Sequence, residues 1–100
     1  MKELVSVIIP FYNVAEKKYY ANTFSGSFEI VSLTGTISTM NGEYYAHLHM
    51  SAGDEQGRGF GGQLNEAIIS ATCEMVIEVI DGQVDRVRDE SVGLNLFHFN

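Results

Sequence analysis

Residues 4–12 are dense in Val and Ile, a composition suited to a pleated surface, and Pro10 confines such a strand to an edge or an irregular position. Residues 13–16 read as a turn. Tyr19, Tyr20 and Thr23 then predict a second strand over residues 17–24, which Ser25 and Gly26 interrupt. From residue 28 to residue 38 the alternation sets Phe28, Ile30 and Ser32 against Glu29, Val31 and Leu33. Apolar groups on both faces predict a central strand, in which Gly35 marks a bulge or a close approach of backbones.

Asn41-Gly42 is the strongest local signal, because a tight hairpin turn needs positive φ angles that Asn and Gly tolerate best. It joins the central strand to residues 44–51. There Tyr44, Ala46, Leu48 and Met50 share one face, while Tyr45, His47, His49 and Ser51 share the other. Both histidines therefore point the same way. Residues 53–62 combine several glycines with Asp54, Glu55 and Arg58, which predicts a loop.

Residues 63–80 are ambiguous: Leu64, Ala67, Ile68 and Ala71 suit a helical turn, whereas residues 75–80 alternate like a strand. The reading favoured is mostly strand. Asp81-Gly82 supplies another hairpin turn before a short polar strand over residues 84–88 and a last strand over residues 94–99. The sum is an α+β or all-β domain: a mainly antiparallel sheet of six or seven strands with little helix. Open sheet edges need covering, and a homo-oligomer of cyclic symmetry covers them by joining copies of the chain.

Composition narrows the partners. A chain of 100 residues, 45% hydrophobic with a single Pro, suits one domain spanning residues 1–100. Its formal charge of -7, with no Lys/Arg cluster, repels phosphate polymers, so charge disfavours DNA. Cys73, the only cysteine, excludes an internal disulfide, suits a reducing compartment and is expected to be a small buried hydrophobe. The apolar run over residues 4–9 is too short to span a bilayer and no cleavage pattern follows, which leads to a cytoplasmic expectation.

The stretch from Phe28 to Gly35, followed by His47-Leu48-His49, Gly61-Gly62-Gln63-Leu64, Ser70-Ala71-Thr72 with Glu74, and Asp89-Glu90 with Gly93-Leu94, resembles the plants-and-prokaryotes-conserved domain. The likeness runs from about residue 12 to residue 99. It implies a homotrimer built on an antiparallel sheet, related in fold to the acetolactate decarboxylases, and a family whose members are often called DNA-binding. Family members begin with a further strand and helix before the segment matching residues 5–14, so this chain is expected to be shortened at its start. Residues 5–13 alone also resemble the first strand of nucleotide-sugar glycosyltransferases, but no Asp-x-Asp metal motif follows.

His47 and His49, two apart on one strand, can place two ring nitrogens on a single divalent ion, either zinc or iron. The resemblance implies a third histidine after the Gly-Gly pair, where this chain has Gln63, a neutral and weaker donor. Glu66 is a candidate to replace that ligand or to orient a histidine from behind. Without a metal, the two histidines would hydrogen-bond across a subunit interface or sit on a solvated face. Arg58 would clamp an anionic ligand or tie down its own loop through Asp54 and Glu55. His98 is expected on a surface or interface, and the tyrosines at 19, 20, 44 and 45 are expected to pack in the sheet or between copies. Two functions follow: a homotrimeric module for regulation, DNA association or ligand sensing, and a metal-dependent enzyme resembling acetolactate decarboxylase, in which the ion polarises a carbonyl.

Overall fold

The computed structural model describes residues 4–99. Seven strands form, and among the described residues there is no helix: β1 (Leu4–Asn13), β2 (Lys18–Met40), β3 (Glu43–Gly53), β4 (Gly59–Gln63), β5 (Glu66–Ile69), β6 (Asp85–Asp89) and β7 (Leu94–His98). The order along the sheet is β4-β3-β2-β1-β5, with β6 on β2 and β7 on β6. Every ladder is antiparallel except the short β2–β6 contact, where Thr39 lies opposite Asp85. The expected mainly antiparallel sheet is what the chain builds.

The long strand β2 organises the molecule. Its first half, Lys18 to Phe28, pairs with β1, and its second half, Glu29 to Met40, pairs with β3. Ser25 and Gly26 do not end the strand, as the sequence reading had it, but they do mark an irregularity: the β1 ladder shifts register there, with Ser6 opposite Ser25 and Leu4 opposite Phe28. The register slips again between Ile30 and Ser32, next to the point where β2 changes neighbours. Of the two readings of Gly35, a bulge or a close approach of backbones, the structure shows the second: a Cβ there would come within 2.1 Å of the His47 carbonyl oxygen. Asn41 and Gly42, with φ of 53° and 80°, form the tight turn into β3.

Glycine misled the reading of residues 53–62. The loop is confined to residues 54–58, and β4 follows as a ladder partner of β3. A Cβ on Gly61 would lie 2.6 Å from the Met50 carbonyl oxygen, so the missing side chain lets the two backbones close up rather than marking a loop.

The core is small. Ile9, Met50 and Ala52 are buried, and Phe24, Phe28, Ile30, Leu33, Phe60, Leu64, Ala67 and Ile69 pack around them. The Phe60 ring stacks on Phe24 at 4.0 Å between centroids and meets Phe28 edge-on at 5.0 Å, contacts that add about 0.5–1.5 kcal/mol per pair beyond area burial. Tyr12 donates its hydroxyl to the Val92 carbonyl, and Lys17 Nζ donates to the Glu90 carbonyl, which fastens the β6–β7 hairpin to the β1–β2 turn.

Residues 71–80 depart most from expectation. They enter no ladder and run as an exposed segment in which Val76, Val79 and Ile80 are 102%, 88% and 80% exposed. The mostly-strand reading of residues 63–80 holds only for β5, and Asp81-Gly82 is a bend with no strand before it. Cys73 lies on this segment and is exposed, not buried as expected, because the segment joins no ladder of the described residues.

Candidate functional site

The β2–β3 ladder sets one face of the sheet. Thr34 lies opposite His49, Thr36 opposite His47 and Ser38 opposite Tyr45, and period-two alternation keeps these side chains on the face away from Leu48, Met50 and Ala52. β4 extends that face by placing Gln63 directly across from His49. Leu64 then donates its amide to the Leu48 carbonyl and Asn65 to the Ile8 carbonyl, which fixes the exit of the chain from β4.

The two imidazoles converge. Their Nε2 atoms are 3.4 Å apart, with ring centroids at 5.1 Å and planes inclined at 68°. Two nitrogens bound at 2.0–2.1 Å to adjacent corners of a tetrahedral ion stand about 3.3–3.4 Å apart, so the spacing matches joint coordination. Burial first, then the positive charge of Arg86 and the neighbouring His49, hold His47 below its ordinary value of 6.5. A neutral ring is the form that binds metal. Beside the pair, an open cleft of about 310 Å³ is lined by Tyr12, Asn22, His49, Gly62 and Gln63 among others.

The remaining candidates fall elsewhere. Glu66 begins β5 opposite Ile8, and among the described residues no three His, Cys, Asp or Glu side chains gather as a metal group. Gln63 is the candidate ligand that β4 brings across from His49, on the face that also carries Thr34 and Thr36. Arg58 ties its own loop: Nε donates to Asp54 Oδ2 at 2.8 Å and an Nη to Gln56 Oε1 at 2.7 Å. Asp54 also accepts the Arg58 and Gln56 amides, and the Arg58 amide is the first cause holding its carboxyl below 3.8. His98 is exposed at the end of β7. Tyr19, Tyr20 and Tyr44 are exposed, and only Tyr45 is drawn inward.

Arg86 escaped the sequence reading. It is only 8% exposed, with its guanidinium carbon 4.1 Å from the Phe97 ring centroid and 5.2 Å from that of Tyr45. The sole signal was alternation in β6, which sends Arg86 and Arg88 to one side and Val87 to the other. That alternation cannot say which arginine the β7 aromatic covers.

The profile of the Plants and Prokaryotes Conserved (PCC) domain matches residues 4–81. Among solved structures, a "putative DNA-binding protein" from Bacteroides thetaiotaomicron is 33% identical with a TM-score of 0.92, over 98% of this chain and 68% of that one. A metal-containing protein from Archaeoglobus fulgidus is 26% identical with a TM-score of 0.74, over 97% and 69%. A plant- and prokaryote-conserved protein from Pyrococcus horikoshii, 24% identical with a TM-score of 0.72 over 97% and 69%, shares the fold. No curated protein matches the chain.

Proposed function

The chain belongs to the Plants and Prokaryotes Conserved (PCC) domain family, and from that premise we propose that it is a homotrimeric regulatory or ligand-sensing module with a divalent ion held at His47, His49 and Gln63. The observation that carries the site is the 3.4 Å between the two Nε2 atoms. His47 and His49 supply two imidazole donors, and the Gln63 amide oxygen supplies a weaker third from the facing strand. A bound zinc or iron would act as a Lewis acid or as an anchor for a small ligand. The likeness to a metal-containing neighbour supports this reading.

Residues 71–80 support the assembly. An exposed segment with apolar groups pointing both ways acts as a strand in want of a sheet, and an edge of a second copy provides one. Such a contact is head-to-tail, and repeated round an axis it closes into a ring, for which the family resemblance gives three copies. The DNA-binding reading comes from the naming of neighbours such as the Bacteroides protein, and the charge of -7 opposes it.

The test is elemental analysis of protein stripped with a chelator and refilled with zinc or iron. One ion per chain, lost in the His47→Ala/His49→Ala double variant, is the expected result; no stoichiometric ion in the parent protein rejects the site. A second reading, a metal-dependent enzyme resembling acetolactate decarboxylase, is favoured by the open cleft beside His49 and Gln63, wide enough for a small carbonyl compound. Ion-dependent turnover of 2-hydroxy-3-oxo acids would select it over a sensing role.

A further inference from the structure

Among the described residues three strands, β4, β5 and β7, have a ladder on one side only. Natural sheets guard such edges with a charge, a Pro or a bulge. β7 has no Pro and no Lys, Arg, Asp or Glu, it pairs with β6 in unbroken register, and Leu96, Phe97 and the following Phe99 stay exposed. Alternation gives the β6–β7 hairpin two unlike faces. Val87 and Leu96 are ladder partners on one face, which also carries Asp85 and Asp89, while Arg86 and Arg88 share the other with Phe97 and Asn95. An open cleft of about 310 Å³ lies against the hairpin, lined by Val87, Arg88, Leu96, Phe97 and His98 among others. Residues 74–80 carry the complementary pattern: Met75, Ile77 and Val79 alternate with Glu74, Val76, Glu78 and Ile80, and all are exposed.

We infer that residues 74–80 of one copy add as a strand to the free edge of β7 in a second copy, an inference that rests on the assembly proposed above and names the edge at which the copies join. Charge selects which way the added strand faces. With Met75, Ile77 and Val79 beside Leu96 and Val87, the glutamates Glu74 and Glu78 lie on the side of Arg86 and Arg88. A slip of one residue reverses both matches and brings the glutamates to Asp85 and Asp89. Strands two apart in a sheet are separated by about 10 Å, a gap that Glu and Arg side chains span together. Arg88 is open to such a partner, because its contact with Glu90 is a solvent-exposed pair at 3.4 Å. The other edges fit less well: β5 begins with Glu66 and holds no cation, so the segment would set acid beside acid, and β4, Gly-Phe-Gly-Gly-Gln, presents few side chains to bury.

The contact is read directly in the intact protein mixed from nitrogen-15-labelled and carbon-13-labelled copies, in which isotope filtering keeps only NMR cross-peaks between copies. Cross-peaks from the Ile77 and Val79 methyl groups of one copy to the amides of residues 95–98 of another are expected. Glu74→Lys with Glu78→Lys, and separately Arg88→Glu, should each raise the dissociation constant of the assembly about tenfold, and the three substitutions together should restore most of it. An assembly whose methyl cross-peaks run to β4 or β5, or never to β7, overturns the proposal and leaves the assembly standing, as does a combined variant no tighter than its parents. A single chain mass by light scattering removes both.

Discussion

His47 is set by what surrounds one ring. Burial and the Arg86 charge favour its neutral form, so its folded-state value lies below the unfolded 6.5. In acid the unfolded chain binds that proton first, and stability falls as the pH drops below the unfolded value; the loss is absent above it. In metal-stripped protein, urea midpoints of the parent should therefore decline between about pH 7 and pH 5, and His47→Gln should flatten that decline. Gln63 offers a test in the opposite direction. Gln63→His puts an imidazole across from His49, and zinc measured by competition with a chromophoric chelator should bind about tenfold tighter or more. Unchanged affinity would mean that residue 63 does not face the ion. The sequence made His47, His49 and Gln63 legible because alternation and a short motif carry them. Arg86 stayed hidden, since its burial depends on Phe97 eleven residues on and on Tyr45 from another strand.

At the scale of the element, β2 is where sequence and structure meet and part. Period-two alternation located its central portion and Asn41-Gly42 fixed its end, both local effects. It carries on past the irregularity at Ser25 and Gly26 because β1 pairs on both sides of it, and β4 exists because glycines let it close on β3; neither cause is local. Gly35→Ala forces a methyl group against the His47 carbonyl and should cost about 2–4 kcal/mol, read as a lower urea midpoint. The exposed segment predicts the reverse pattern. Since residues 71–80 enter no ladder of their own chain, Val76→Lys with Val79→Lys should leave the circular dichroism of the sheet intact and reduce the mass in solution. The sequence marked this stretch as a strand from its alternation, whereas the structure leaves it outside every ladder of the described residues, because alternation alone supplies no pairing partner.

The whole molecule carries the same message in its dimensions. It exposes 7375 Å², against about 5,700 Å² for a compact protein of its mass. Its radius of gyration is 15.4 Å, where about 13 Å is usual at this length. Among the described residues the buried apolar core is Ile9, Met50 and Ala52, and the densest run of exposed large apolar side chains lies on residues 75–80. No helix of the described residues is long and apolar enough to cross a membrane. The net charge of -7 bears on DNA: duplex DNA should show no mobility shift even at low salt, where electrostatic binding is strongest, and a salt-sensitive shift would restore the DNA-binding reading. The most direct test of the account is the mass of the unmodified protein in solution by light scattering at micromolar concentration. Three chain masses are predicted; a single chain mass, with residues 71–80 left bare, would contradict it.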